Sequence, residues 1–171
     1  MKMKPQAIRR TVILGAILAL TLPLARLFSQ NAVKDTHQKN QGVYLPNEIQ
    51  WHEGPPSLPP GAKMATLEGD MTKAGPFTVR ARFPDGYHIP AHTHPGIEHL
   101  TILSGSMKLA MGDHLERAAA HTLPTGAFAV MPAGMKHEVW VEGETIIQAH
   151  GVGPWAINYL NAADDPRNAK K

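Results

Sequence analysis

The stretch from residue 86 to residue 137 limits the possible folds of this chain more than any other. It carries His92 and His94 two residues apart, so on a strand both imidazoles project from the same face. A Pro-Gly turn signal follows and lets the chain fold back, which brings Glu98 to the same side. His137 lies much further along, just after a second turn rich in Gly and Pro. Strands that fold together could therefore bring these four side chains around one metal ion.

The donor types narrow the choice of metal. Imidazoles and a carboxylate suit the divalent transition metals Fe, Mn, Ni, Cu and Zn better than calcium or magnesium, which prefer oxygen ligands. The chain has no Cys, so no thiolate can take part. Glu98 has two candidate roles: it could ligate the metal, or it could swing off the metal and act as a catalytic general base.

The same stretch resembles the first of two motifs that define the cupins. That motif is a Gly, five residues, His-x-His, three or four residues, Glu, six residues and a Gly. All spacings are met by Gly86, His92, His94, Glu98 and Gly105.

A second motif follows in the expected order. It is a Gly, five residues, Pro-x-Gly, two residues, His, three residues and an Asn. Gly126, Pro132, Gly134 and His137 fit it, but Val141 stands where the family has Asn. Since Val cannot donate a hydrogen bond and shares the parity of His137, we expect a more apolar interior on that side.

The resemblance covers residues 44–160 and implies an all-β fold, the antiparallel double-stranded β-helix or jelly-roll barrel of the cupins. It implies that His92, His94, Glu98 and His137 hold a divalent transition metal. Cupins with these ligands include dioxygenases, oxalate-metabolising enzymes and isomerases, and other cupins are sensor-type or storage-type proteins. Cupins commonly pair through edge strands, so the resemblance also implies a homodimer.

The Gly and Pro pattern independently favours many short strands, because 15 residues of each type punctuate the chain. Phe77–Phe83 alternates apolar and polar residues, as a half-buried strand does. Further strands are predicted at Glu48–Trp51, Ala62–Asp70, Ile89–Thr93, Glu98–Leu103, Met107–Met111, Ala127–Met131, Glu138–Glu142, Glu144–His150 and Trp155–Leu160, with a hairpin at Ser104–Ser106 and one helical turn at Arg117–Ala120.

The N-terminus is typical of an export signal. A positively charged start precedes an apolar run at residues 11–25, which is short for a membrane span and is interrupted by Pro23. Residues 1–29 are therefore predicted to be a signal peptide, or else an uncleaved N-terminal anchor helix in the inner membrane. The protein is expected to be exported, periplasmic or secreted. Residues 30–43 are predicted to be a flexible linker and residues 161–171 a polar tail.

Charge excludes one class of partner. The chain has a formal charge of +3, but five of its basic residues lie within the first 26 positions, and every acidic residue lies at position 35 or later. The body is nearly neutral and has no basic patch, so nucleic-acid binding is not expected. Membrane contact is expected only through residues 11–25, if they are retained.

Other side chains near the motifs leave alternatives open. The basic face of the strand at residues 77–83, with Arg80 and Arg82, is predicted to be solvated; the alternative places one arginine in the pocket against an anionic substrate. His88 shares the parity of His92 and could point inward, whereas His99 should face away from Glu98. Several further side chains are candidates to line the interior or its end: Leu100, Ile102, Val139, Gln148, His150, Met64, Met71, Met107, Met111, Met131 and Met135. For most of the methionines, packing in the core without contact with a ligand is the preferred alternative. His114 and His121 are expected to be solvated.

These observations predict a metal-dependent oxidoreductase, dioxygenase-like, that acts on a small organic substrate at an open-sided site with three His and one Glu. A non-catalytic module that binds a metal or a small ligand, including a sensor, is the alternative.

Overall fold

A computed structural model of the chain describes residues 42–169, and these residues form an all-β structure. The predicted signal peptide or anchor helix at residues 1–29, and most of the linker predicted at 30–43, lie outside the described residues. Within residues 42–169 no helix has the length and apolar character that a membrane span requires.

The described residues contain nine strands and three short 3-10 turns. The strands are β1 (His52–Glu53), β2 (Lys63–Glu68), β3 (Gly75–Phe83), β4 (His88–Thr93), β5 (Glu98–Met111), β6 (His121–Pro124), β7 (Phe128–Met131), β8 (His137–Gly153) and β9 (Asn158–Tyr159). The 3-10 turns are Pro46–Glu48, Arg117–Ala119 and Pro166–Asn168. The helical turn predicted near residue 117 is confirmed, whereas the strand predicted at Glu48–Trp51 is wrong: a 3-10 turn ends at Glu48 and β1 begins at His52.

All strand pairs are antiparallel, and the two long strands give the sheet its curl. The order β1-β2-β3-β8-β4-β9 forms one path, and β5 pairs with β8 along most of its length while also pairing with β6 and β7. Because β8 pairs with β3 through its C-terminal half and with β4 through its N-terminal half, the sheet bends around one interior. The result is the jelly-roll barrel that the motifs predict.

Two predicted breaks in the strands are wrong. The hairpin expected at Ser104–Ser106 is a bend within the continuous strand β5, and β8 likewise continues through Gly143. Gly105 has φ +81°, and a Cβ there would collide with the backbone of the neighbouring strand at Glu144 and Thr145. The glycine therefore lets two strands approach each other while the register shifts, and it does not reverse the chain.

The alternation predicted for residues 77–83 is confirmed. In β3, the side chains of Phe77, Val79, Ala81 and Phe83 are buried and belong to the core. Burial of such apolar side chains contributes roughly 25 cal/mol per Å² of apolar area to the stability of the folded state.

The polar face of β3 lies outside the barrel. Arg80 donates a hydrogen bond from Nε to Gln148 at 3.1 Å, and the Arg82 guanidinium lies 4.4 Å from the ring centre of Trp51. The hypothesis of a pocket arginine on β3 is therefore wrong, since both side chains contact residues of the outer face.

Candidate metal centre

The four predicted ligands lie together at one end of the interior. His92 is near the end of β4, His94 follows that strand, and Glu98 and His137 are the first residues of β5 and β8. The Cα of His92 pairs with that of His137 across the β4–β8 ladder. All four side chains are buried, with 2–6% of their surface exposed.

The ligand atoms of the three histidines form one group, and Glu98 lies beside two of them. His94 Nε2 lies 3.2 Å from His137 Nε2, and the Glu98 Oε2 oxygen lies 3.1 Å from the first nitrogen and 3.6 Å from the second. One ligand nitrogen from each of His92, His94 and His137 lies within 4.8 Å of the other two. Within residues 42–169, these three histidines are the set of three or more His, Asp or Glu side chains that lie close enough to share a metal ion.

Backbone carbonyls fix the protonation of all three rings. The Nδ1 atoms of His92, His94 and His137 contact the carbonyl oxygens of Pro90, Ala156 and Met135 at 2.8, 2.8 and 3.0 Å. A carbonyl oxygen can only accept, so each Nδ1 carries the proton and donates it. In a neutral ring Nε2 is then free to bind a cation, and the Nε2 atoms of His94 and His137 lie beside each other and beside the Glu98 carboxylate.

Burial keeps two of these rings neutral. Desolvation lowers the pKa of His92 far below its ordinary value, and the neighbouring His137 and His94 lower it further. Desolvation also lowers the pKa of His137, against the opposing attraction of Glu98. Because these two rings resist protonation, their Nε2 atoms stay available to bind a metal cation.

The donor set fits a divalent transition metal. Bonds of about 2.1 Å at right angles place neighbouring ligand atoms about 3.0 Å apart, close to the separations around His94, His137 and Glu98. The N–H groups donated to carbonyls are the outer contacts that orient histidine ligands in metal sites. The structure thus brings together all the metal ligands that the sequence predicts.

Trp155, which the sequence analysis did not assign to the site, packs directly against it. Its ring stacks on His94, with 3.9 Å between ring centres and 22° between planes, and its backbone N–H donates to Met71 at 2.7 Å. The next residue supplies the carbonyl that accepts from His94. No motif marks this segment, because its role arises only when the chain after β8 folds back over β4.

A cavity of about 260 Å³ extends from the four ligands into the barrel. Its strand-borne lining is otherwise apolar and consists of Met64, Val79, Ala81, Phe83, Ile89, Leu100, Met107, Leu109, Met131, Val139, Ile147 and Ala149. The methionines are unbranched and adaptable, so the walls can follow ligands of different shapes. Such a lining excludes water and favours a small, mainly apolar molecule.

Loops at one end complete the lining and form the rim of the cavity. Pro55, Ser57 and Leu58 come from the β1–β2 loop, and Met71 and Thr72 from the β2–β3 loop. Trp155, Ala156 and Ile157 precede β9, and Arg167 comes from the predicted polar tail. We use "rim" for these nine residues. The sequence analysis identified only Met71 among them as a candidate lining residue.

The interior predicted from residue parity needs three corrections. Val141 and Ile102 are buried in the core but do not line the cavity, and the same holds for the partly buried Met111 and Met135. The prediction is confirmed for the other apolar candidates, since the lining includes Leu100, Val139, Met64, Met71, Met107 and Met131. His150 and Gln148 point away from the interior, because Ile147 and Ala149 take the inward positions of β8.

The prediction that His88 points inward is wrong. The β4–β8 register shifts between Ile89 and His92, so parity is lost across Pro90 and Ala91. His88 lies at the surface, 2.7 Å from Glu138 and stacked on Trp140.

The remaining histidines lie where the sequence predicts. His99 faces away from Glu98 and stacks on His150 at 4.8 Å between ring centres. His114 and His121 are exposed.

The family comparison agrees with the motifs. The family model of the ChrR Cupin-like domain matches residues 39–156, which is more than half of the chain. No curated protein matches the chain significantly.

Solved structures share the fold. A candidate acetylacetone dioxygenase from Methylibium petroleiphilum superposes with a TM-score of 0.57 at 18% identity, over 75% of this chain and 87% of that one. The polyketide cyclase RemF from Streptomyces resistomycificus superposes with a TM-score of 0.57 at 14% identity, over 74% of this chain and 90% of that one. An RmlC-like cupin from Shewanella frigidimarina superposes with a TM-score of 0.53 at 13% identity, over 67% of this chain and 93% of that one. At such identities the likeness concerns the fold alone.

Proposed function

We infer that this chain, which belongs to the ChrR Cupin-like domain family of the cupin superfamily, is a metal-dependent oxidoreductase. The proposed metal ligands are His92, His94, Glu98 and His137, and the proposed reaction is dioxygenase-like, on a small, mainly apolar organic substrate. One observation carries the proposal: ligand nitrogens of three buried histidines lie within 4.8 Å of one another, with a Glu98 carboxylate oxygen beside two of them.

A redox-active metal such as Fe, Mn, Ni or Cu would supply Lewis acidity and one-electron chemistry at this point. The chain itself supplies orientation. The carbonyls of Pro90, Ala156 and Met135 hold the three rings, so little ordering entropy is lost when the ligands bind. Glu98 either completes the ligand set or holds a proton taken from the substrate.

The cavity supports the proposed substrate class. Its volume of about 260 Å³ lies just below the usual range for ligand sites, so the substrate must be small. Its strand walls carry no ionisable group other than the four proposed ligands. A substrate whose polar atoms gather at one end, next to the ligands, and whose body is apolar matches this distribution. The candidate acetylacetone dioxygenase that shares the fold makes enols and diketones reasonable first substrates.

Oxygen consumption tests the proposal directly. The protein would be purified without a His tag, loaded separately with Fe, Mn, Ni, Cu or Zn, and mixed with a panel of enols, flavonoids and diketones. We expect oxygen uptake that depends on a redox-active metal and disappears in the zinc form and in His137→Ala. The surface variant His88→Ala should retain the uptake.

The alternative is a non-catalytic module that binds a metal and a small ligand. It predicts stoichiometric metal, saturable ligand binding in the cavity and no turnover with any metal. That combination of results would replace the proposed reaction while keeping the metal site.

Export and dimerisation are further proposals that rest on the sequence. The charged and apolar segment at residues 1–25 supports export, with an uncleaved inner-membrane anchor as the alternative. Mass spectrometry of the protein from fractionated cells would distinguish them. The homodimer rests on the cupin resemblance, and analytical ultracentrifugation of residues 42–171 tests it.

A further inference from the structure

Arg167 is the one permanently charged cation in the lining of the cavity among the described residues. It lies in the 3-10 turn Pro166–Asn168, within a segment that the sequence predicts to be a polar tail. About 43% of its side chain is exposed, so it stands at the rim between the cavity and solvent.

Three hydrogen bonds fix the guanidinium plane. Nε and Nη2 each donate to the Asp165 carboxylate at 2.8 Å, and Nη2 also donates to the carbonyl of Ile157 at 3.0 Å. The Asp165 side chain is held in turn, because it accepts the backbone N–H of Arg167 at 3.0 Å. An arginine anchored in this way is already oriented before any ligand arrives.

The same backbone segment positions the guanidinium and the metal centre. The carbonyl of Ala156 accepts from His94, and the carbonyl of the next residue, Ile157, accepts from Arg167. Consecutive peptide groups therefore hold a proposed metal ligand and the rim cation. Both side chains line the same cavity, so one ligand molecule can contact both.

Part of the guanidinium remains free to bind. Its Nη1 group carries two N–H donors that have no acceptor within residues 42–169. Asp165 offsets the positive charge, so attraction at long range is weak. Recognition by this group therefore depends on oriented hydrogen bonds at short range, which are about twice as strong when the acceptor is a carboxylate.

We propose that Arg167 is a specificity residue of the cavity, which selects ligands that carry a carboxylate group on an apolar body. This inference deepens the proposed function, since it specifies the substrate class of the same site. The arginine proposed here is not the one considered in the sequence analysis. Arg80 and Arg82 of β3 lie outside the barrel, whereas Arg167 comes from the C-terminal segment.

Binding of a matched pair of probes tests the proposal. Octanoate and octanamide have the same shape and differ in charge, and calorimetric titration into zinc-loaded protein measures both dissociation constants without turnover. We expect wild-type protein to favour octanoate by at least about fivefold, because the guanidinium then bonds a charged carboxylate and not a neutral amide oxygen. In Arg167→Met this preference should fall by about fivefold.

A matched control is Arg117→Met. Arg117 pairs with Glu142 at 3.2 Å on the surface and does not line the cavity. We expect this variant to keep the wild-type preference, because its change in net charge is the same as that of Arg167→Met.

Asp165→Asn separates recognition from a purely structural clamp. The asparagine keeps an oxygen that can accept the backbone N–H of Arg167 but removes the charge that offsets the guanidinium. Recognition by Arg167 predicts a stronger preference for octanoate in this variant. A clamp that only holds the C-terminal segment predicts a weaker preference together with lower thermal stability, as in Arg167→Met.

The proposal is overturned if wild-type protein does not favour octanoate, or if Arg167→Met keeps the wild-type preference. These results are independent of the oxygen-uptake experiment. Intact selectivity without turnover would refute only the proposed reaction, and turnover without selectivity would refute only the role of Arg167.

Discussion

The strand wall and the rim of the cavity are built by different means. On the wall, ligands and apolar residues come from strands whose pairing sets the direction of each side chain, as for His92 and His137 on the β4–β8 ladder. On the rim, loops are held by side-chain bonds between distant segments, such as the one from Tyr159 to the carbonyl of Ser57. We infer that the wall determines whether a metal binds, and that the rim determines which molecule reaches it.

The largest expected effect is the loss of a ligand from the wall. His137→Ala removes one of the converging Nε2 atoms and should weaken metal binding by more than about 100-fold, beyond the effect of losing an outer contact alone. Competition with a chromophoric chelator measures the change. His88→Ala removes a surface histidine from β4 and should bind metal as wild type does; an equal loss in both variants would contradict the assignment of the ligands.

A leucine pair compares the packing of the two regions. Leu109 lies on the wall with 1% of its surface exposed, and Leu58 lies on the rim and is partly buried. We expect Leu109→Ala to lower the free energy of unfolding by about 3 kcal/mol, as a buried truncation does. Leu58→Ala should lower it by about 1 kcal/mol, because the loop can relax around the change.

Urea unfolding of both leucine variants measures this difference. A larger cost for Leu58→Ala than for Leu109→Ala would show that the rim, and not the wall, holds the barrel together.

The histidines of the wall should also make the stability of the metal-free protein depend on pH. The pKa values of His92 and His137 are lowered in the folded protein. Below about pH 6.5 these two histidines therefore bind protons in the unfolded chain but remain neutral in the folded chain. The stability of metal-free protein is therefore full above that pH and falls as the pH drops towards the folded values. We expect His92 alone to account for a loss of about 1 kcal/mol between pH 7 and pH 5.5, and His137 to add to this loss in the same direction.

Urea titrations of chelator-treated protein across this pH range show whether the free energy of unfolding falls on acidification, as expected. His92→Asn should flatten the dependence, while the surface variant His114→Asn should leave it unchanged. Stability that rises on acidification would contradict the burial of neutral imidazoles.

The smallest expected effect concerns one bond that holds the rim. Tyr159 of β9 donates its hydroxyl proton to the carbonyl of Ser57 at 2.7 Å, and its backbone pairs with His92. Tyr159→Phe should lower stability by only about 1 kcal/mol. It should nevertheless raise the rate at which a chelator removes bound metal, because the loop at residues 54–61 opens more often.

The exposed Tyr44 provides the control. Tyr44→Phe should leave the rate of metal removal unchanged. If Tyr159→Phe also leaves that rate unchanged, the β1–β2 loop does not control access to the cavity.

The wall could be predicted from the sequence because its determinants are local. Alternation defines the inner face of β3, and fixed spacings within two short motifs define the ligands. Parity fails where pairing is irregular: His88 turns outward across the register shift after Ile89. The bend at Gly105 was predicted as a hairpin, since a glycine that permits a close approach of strands has the same sequence signature as one that permits a turn.

The rim could not be predicted, because two of its contacts join distant segments that no motif relates and the third is a local pairing with no sign of the cavity. Trp155 stacks on a histidine 61 positions earlier, and Tyr159 reaches a carbonyl with a sequence separation of 102 residues. Arg167 pairs with a residue two positions away, which is a local signal for a capped turn. Nothing in that signal shows that the turn packs against the cavity.

X-ray absorption spectroscopy of metal-loaded protein tests the central claim most directly, since it counts the imidazoles bound to the metal. With one metal per chain, we predict three imidazole nitrogens at about 2.1 Å and at least one oxygen in the wild-type protein. We predict two imidazoles in whatever metal-bound fraction of His137→Ala remains. Fewer than three imidazoles in the wild-type protein, or less than one metal per chain after loading, would contradict a common site for His92, His94, Glu98 and His137.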